Sequence, residues 1–492
     1  MKDVIVIGGG AAGLIAARAC ARVGLSVTVL EATGVPGGAL GSHEVAGLTL
    51  DSGAESFAVR RNAVAEFIAD LGLSDEVVAP NPAGAWLQLP DDRVPGGSIS
   101  VPLPKAGVLG IPGSPLADDV RRVIGWSGAW RAYADRLMPV LTIGREHSLG
   151  ELVRKRMGRR VLERLVEPVT AGVYSSSADD LEIDVVAPGL NSALTVTGSL
   201  SGAVLSLRSG APAGSNVAGL RGGMSRLVAA LVADLAHFDA EIVTDAPVTA
   251  LRRSGTEDAP TWTVTCAAPP ADAPDAPDAP AAATTLAARF VIIATPGAQA
   301  LALLADLSPA HAALAELDWP QPTAIELATI VIDAPELDAH PRGTGVLVAA
   351  ATPGVSAKAL THVTAKWEWL AAAAGPGRHV IRLSYGRAGQ DNPTAGLRDD
   401  ELLALSLADA RTILGVDLDA AAVRGFARTV WGDALSPATV GAPERVSQVR
   451  EIVTATPGLE LTGAWLAGTG LASVIPDAVA AASRTRHEAL GI

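Results

Sequence analysis

The stretch Asp3-Val4-Ile5-Val6-Ile7-Gly8-Gly9-Gly10-Ala11-Ala12-Gly13 decides the fold. Asp3 to Ile7 reads as a short buried strand of β-branched residues, and the alanine-rich run from Ala11 to about Arg22 reads as a helix. A second strand, Ser26 to Leu30, ends in Glu31. This strand-helix-strand unit suits the ADP half of a dinucleotide: Gly8 permits a tight turn, Gly9 and Gly10 let backbone N–H groups approach a pyrophosphate, and Gly13 lets helix and strand pack closely. Ala11 and Ala12 open the helix, whose N-terminus favours an anion. Glu31 is placed to accept hydrogen bonds from ribose hydroxyls. A GxGxxG alone means little in a chain with 51 glycines. The context is specific: the acid lies 18 positions after Gly13, near the spacing of about 20 that this unit requires.

Working outward, 492 residues exceed what one core supports, so two or three domains are expected. Hydrophobic residues make up 49% and charged residues 18%, with mean hydropathy +0.32, and much of the apolar share is alanine, since aromatic residues are only 3%. That composition predicts compact globular domains. A net charge of −14 disfavours nucleic acid as a partner. The two cysteines, Cys20 and Cys266, exclude a disulfide framework, a cysteine zinc site and a redox-active CxxC, and they fit a reducing cytoplasm. Asp3 spoils the basic end of a signal peptide. The longest charge-free stretch, Val185 to Leu207, carries Asn191 and several Ser, Thr and Gly residues, so no transmembrane helix is expected, which leaves room for peripheral membrane contact. No metal site is expected.

The segments after Glu31 separate FAD from NAD. Glu31-Ala32, Gly37-Gly38-Ala39 and Leu50-Asp51-Ser52-Gly53-Ala54-Glu55-Ser56-Phe57 resemble the extended signature of the flavin amine-oxidase superfamily, E-A-x-x-R-x-G-G-R/K followed by D-x-G-x-x-S-F. The resemblance implies FAD, with the second glycine pair and Gly53 to Ser56 lining pyrophosphate and flavin. The two basic residues of that signature are replaced by Val35 and Ala39, so a charge contact is missing or supplied from elsewhere. Near the other end, Gly463-Ala464-Trp465 and Gly468-Thr469-Gly470-Leu471-Ala472-Ser473 resemble the closing flavin motif, with Ser473 suited to cap the following helix. Between them, Val248 matches a position that meets the adenine side, Val291 to Pro296 with Thr295 matches the v-i-x-A-T-P strand, and Trp431 matches a tryptophan beside the flavin. The Ala, Pro and Asp-rich segment Cys266 to Thr285 reads as a surface loop between two strands.

Glu167-Pro168-Val169-Thr170-Ala171-Gly172-Val173-Tyr174 resembles the most branch-specific segment of bacterial protoporphyrinogen and coproporphyrinogen oxidases, although Ser176-Ser177 and Glu182 depart from it. The resemblance implies an α/β (α+β) fold. A discontinuous Rossmann-type FAD domain would comprise 1–80, 215–300 and 430–492. A mixed-sheet substrate domain would comprise 81–104, 190–214 and 301–429, and a helical domain 105–189. It further implies an enzyme of haem biosynthesis that oxidises coproporphyrinogen III to coproporphyrin III with O2, giving H2O2, with the porphyrinogen substrate, O2 and other haem-pathway enzymes as its partners. Protoporphyrinogen IX is the alternative substrate; an FAD-dependent amine oxidase, a carotenoid desaturase and a degenerate flavoprotein scaffold are the more distant readings. Arg121, Arg122, Arg131 and Arg136 are candidates to receive substrate propionates, and Arg154 to Arg160 read as a solvated helix face. The pattern assigns no catalytic residue, and the eight histidines read as surface or core positions.

Overall fold

A computed structural model describes residues 1–59, 62–91, 93–105, 107–138, 145–209, 217–256, 260–267, 283–321, 323–434 and 438–491. Its first sheet has seven strands: β1 (Lys2–Ile7), β2 (Val27–Leu30), β3 (Glu241–Val243), β4 (Val248–Gly255), β5 (Pro260–Cys266), β6 (Thr284–Ile293) and β7 (Leu459–Leu461). The order is β3-β2-β1-β6-β5-β4, and the second half of β6 also pairs with β7. β3, β2, β1, β6 and β7 run parallel, while β5 and β4 add an antiparallel meander. The body of the loop placed between Cys266 and Thr285 by sequence, 268–282, lies outside the described residues; its flanks are β5 and β6 as expected.

β1 is apolar without interruption because both faces are covered. Val4 and Val6 point to helices α1 (Ala11–Ala21), α2 (Ser225–His237) and α3 (Leu471–Leu490), joining a core with Leu14, Leu231 and Ile475. Ile5 and Ile7 point to the other side and pack with Trp262, Ile293 and Leu304. Each such side chain, wholly removed from water, contributes about 1.5–3 kcal/mol. Because β6 lies between β1 and β7, and α1 packs on α3, the two ends of the chain meet in one layer.

A second seven-stranded sheet runs in the order Val423–Ala434, Thr323–Asp333, Arg378–Tyr385, Ala359–His362, Gly345–Val348, Ala85–Pro90, Ser98–Pro102. Its back, with Ala328, Ile330 and Leu383 wholly buried, is covered by helix Asp399–Leu414. Helices Asp118–Tyr133, Leu149–Met157, Glu167–Tyr174, Leu190–Thr197 and Leu200–Ser209 form a third core with Leu87 and Leu89 of this sheet.

One expectation fails inside that helical core. Arg154, Lys155 and Arg159 are exposed, but Arg156 is buried and its Nε lies 2.6 Å from buried Asp135. The helix Leu149–Met157 turns Arg156 inward, where it also donates to the carbonyls of Asp135, Met138 and Gly198. A charge this deep persists only when paired and hydrogen-bonded. Among the described residues no single helix is long and apolar enough to cross a membrane; Leu190–Thr197 and Leu200–Arg208 pass together by length and composition but are bent by 116°.

Candidate flavin site

The glycines of the first turn differ in what they do. Gly8 has φ 104, a conformation costly for any other residue, and its N–H donates to Leu30 O at 2.8 Å. A methyl group on Gly13 would run into Gly8 O, so Gly13 sets the close approach of α1 to β1. Gly10 caps α1 with ordinary extended backbone, and a side chain there would meet nothing within 4 Å. Ala11 and Ala12 follow as the first helical residues, with no side-chain cap and no acid in the first turn. The cap residue therefore offers no side chain to the N–H groups of this helix start.

Glu31 is half-buried and its carboxylate is engaged locally: Oε2 accepts Gly9 N–H at 2.8 Å, and Oε1 accepts Thr33 N–H and Oγ1–H at 2.9 and 2.8 Å. Oε2 keeps a second lone pair, so a ribose hydroxyl remains chemically compatible. Ala32 beside it is exposed. The second glycine pair lies directly on the first turn: Gly37 N–H donates to Gly9 O at 2.9 Å, and a methyl on Gly38 would sit 3.4 Å from Gly10 Cα. The third segment lies on the second. Ala54 N–H donates to Ala39 O at 2.8 Å, Ser52 N–H donates to Gly41 O at 2.9 Å, and a methyl on Gly53 would meet Ala39 O and lie 3.1 Å from Trp431 Cζ2. Ser56 continues, half-buried, into the short strand Phe57–Ala58.

The C-terminal motif meets the same place through β6. Ala294 N–H donates to Ile7 O and Thr462 N–H to Ile293 O, so Thr295 lies between Gly8 and Gly463. Thr295 Oγ1 is buried with no hydrogen-bond partner among the described residues, an unmet polar group of the kind a ligand satisfies. Gly470 caps α3 with φ 89 and open space above it, and Leu471 and Ala472 begin the helix. Ser473 does not cap that helix. It is the third helical residue, so its hydroxyl lies past the N-cap and beside Gly468. Val248 is half-buried and opens β4, two residues after Ala246, whose N–H donates to Glu31 O at 2.8 Å.

Two uncapped helix starts with no first-turn acid, two glycines bordered by open space and one orphaned hydroxyl form a donor set that fits a dinucleotide diphosphate. The second sheet supplies a wall. Thr429, Leu327, Ser384, Ala359 and Leu347 stand opposite one another on five adjacent strands, hence on one face, and all are half-buried, whereas Leu360 and Val346 on the reverse are 1% exposed. Trp431, on this open face beside Ile325, touches the Gly53 loop at one end. At the other end Gly172 of helix Glu167–Tyr174 seats on Leu347, where a methyl would come within 2.6 Å. Four strand spacings of about 4.8 Å separate these ends by about 19 Å. The Trp-Ala-Pro pattern that led to Trp431 ends at 435–437, outside the described residues.

The four candidate arginines lie on or just after helix Asp118–Tyr133. Arg121 pairs with Asp118 and stacks on Trp126, Arg131 donates to the carbonyls of Arg156 and Lys155, and Arg136 stacks on Tyr133; Arg122 is exposed. Three histidines, His340, His362 and His379, gather at the far end of the second sheet, His379 standing opposite Ile332 on the strand whose other end carries Ile325. Sequence reasoning missed Lys366 and Arg382, which reach Glu55 of the Gly53 loop. Neither belongs to a motif, and Lys366 lies 311 residues from Glu55, so only the fold reveals them.

A family described as flavin containing amine oxidoreductase matches residues 11–485. The coproporphyrinogen III oxidase of Bacillus subtilis (strain 168) is 26% identical over 98% of this chain and 97% of its own length. That of Mycobacterium bovis is 30% identical over 98% of this chain and 96% of its own. The crystal structure of an Exiguobacterium sp. 255-15 protein, provisionally assigned as a protoporphyrinogen oxidase, superposes with TM-score 0.79 at 26% identity, covering 100% of this chain and 99% of that one.

Proposed function

The chain belongs to the flavin containing amine oxidoreductase family, and from that premise we propose that it oxidises coproporphyrinogen III to coproporphyrin III with O2 as acceptor, releasing H2O2. The chain is an FAD-dependent oxidoreductase of α/β architecture. The observation that carries the substrate assignment is the near-full-length likeness to two proteins named for this activity.

The residues of this chain support the reading. FAD would rest on Gly8 to Gly13, Gly37 to Ala39, Gly53 to Ser56 and Gly463 to Ser473, with Glu31 and Val248 toward its adenosine end, Thr295 toward its diphosphate and Trp431 toward its ring. When bound, FAD supplies the ring that takes a hydride from carbon. Six electrons and six hydrogens leave the macrocycle, so three turnovers consume three O2 and yield three H2O2. The half-buried face from Trp431 to Leu347, with Leu327 and Ala359 beside the hydroxyls of Thr429 and Ser384, offers a surface against which a planar substrate can be held. Each cycle also releases one proton from the macrocycle, and the sequence pattern assigns no residue of the chain to accept it. The domain division follows the same reading, with FAD-binding segments 1–80, 215–300 and 430–492, but strand Val423–Ala434 of the second sheet crosses the boundary at 430, and helices Leu190–Thr197 and Leu200–Ser209 pack in the helical core instead of the substrate domain.

Purified protein given coproporphyrinogen III in air is expected to develop porphyrin fluorescence and peroxide together, three peroxides per porphyrin. Protoporphyrinogen IX is the second reading, favoured by the name of the structural relative. Far faster turnover of protoporphyrinogen IX in a paired assay would replace the first reading with the second, and oxidation of simple amines alone would remove both.

A further inference from the structure

Glu55 is a carboxylate in the loop that faces the proposed cofactor, and its side chain is only 9% exposed. Lys366 Nζ lies 2.6 Å from Oε1 and Arg382 Nη2 lies 3.0 Å from Oε2; these two side chains are 15% and 11% exposed. Arg382 Nη1 also donates to Gly53 O at 2.9 Å and to Asp51 O at 3.2 Å, so one guanidinium spans the loop. Burial alone would raise the Glu55 carboxyl, and the two cations outweigh it and hold it below the ordinary range. Glu55 is therefore ionised, and two cations face it. The next acid, Asp51, accepts Met224 N–H, and burial pushes its pKa up to about 6, so at neutral pH it adds a second carboxylate beside Arg382. His43, close enough to feel Arg382, is held neutral by burial. Cations this deep are costly unless anions neutralise them.

The opposite side of the same loop is Ala39, bonded through its carbonyl to Ala54 N–H and packed on Gly53. Position 39 is where the resembled signature carries a basic side chain, and Val35, where it carries the other, is 71% exposed with no charge to offer. We propose that Arg382, backed by Lys366, is the basic group of the cofactor loop, delivered from the second sheet in place of the side chain missing at position 39. Arg382 acts as a positioning residue through its charge: it neutralises Glu55, which would otherwise repel an anionic cofactor. The inference rests on FAD being the cofactor.

The full chain, stripped of flavin, is titrated with FAD and binding read from quenching of flavin fluorescence. Arg382→Met should weaken FAD by at least about tenfold, the scale of one charged hydrogen bond lost. Adding Ala39→Arg to that variant should restore most of the affinity. A purely structural Arg382 predicts no rescue, because an arginine at 39 cannot replace its bonds to Gly53 O and Asp51 O. Should Arg382→Met fail to fold, Lys366→Met with and without Ala39→Arg gives the same comparison. Affinity within twofold of the parent for Arg382→Met, or a loss that Ala39→Arg leaves untouched, overturns the proposal. A parent protein that takes up no FAD sinks the cofactor assignment instead.

Discussion

Gly9 N–H donates to Glu31 Oε2 at 2.8 Å, which fastens the end of β2 to the glycine turn of α1. The acid is thus a structural brace of the cradle as well as a candidate ribose acceptor. A hydrogen bond to a charged group is worth about 1.5–3 kcal/mol, so Glu31→Ala should loosen the turn and weaken FAD binding by about tenfold or more. Equilibrium dialysis with FAD checks this; unchanged affinity would show that neither role matters to the cofactor.

Gly10 offers a sharper test because its backbone is unstrained and its Cβ position is empty. Asp is among the best N-cap residues. Gly10→Asp should leave the thermal stability of the flavin-free protein unchanged or slightly raised. Its carboxylate would occupy the N–H groups that α1 presents and repel a pyrophosphate, so FAD binding should be lost. A protein that keeps both its stability and its yellow colour would place the diphosphate elsewhere.

How far the sequence could be read follows from the range of the interactions. The glycine turn, Glu31, the second glycine pair and the C-terminal Gly463 to Ser473 were legible because each is a backbone geometry written in a few adjacent residues. Their layering through Gly37 N–H to Gly9 O, and through Thr295 between Gly8 and Gly463, was implied by motif order and needed the sheet to be seen. The capping role expected of Ser473 was wrong by three residues, since Gly470 ends the turn and the cap position is the least certain part of a helix boundary. Arg156 and the Arg382–Lys366 pair were illegible, because burial of a lone basic residue depends on which distant carboxylate the fold brings to it.

Arg156 and Asp135 carry a testable cost. Asp135 is 0% exposed and also accepts Ser201 N–H at 3.0 Å, so the pair holds three helices of the helical core. Removing one partner leaves an uncompensated buried charge, worth about 3–5 kcal/mol. Arg156→Met should lower the urea midpoint markedly with an unchanged slope, while leaving FAD content per folded molecule intact. Loss of flavin at full stability would mean that this core reaches the cofactor.

Lys358 is 1% exposed, and its ammonium donates to Ser175 Oγ at 2.6 Å and Gly386 O at 2.8 Å. Ser175, with φ 57, ends helix Glu167–Tyr174, so the charge sits at a helix C-terminus, a favourable place. Burial nevertheless brings its pKa down to about 7, with Arg387 adding to the effect. The unfolded lysine titrates near 10.4. Between these values the unfolded chain keeps a proton that the folded protein has released, so stability rises as pH increases from about 7 to about 10 and the penalty is constant below that window. The rise attributable to this one group is of order 4 kcal/mol. Lys358→Met abolishes it, at the cost of leaving Gly386 O without that donor. Urea melts of both proteins at three alkaline pH values should therefore diverge, the parent gaining on the variant as pH rises; parallel curves would mean that the lysine titrates as if it were in water.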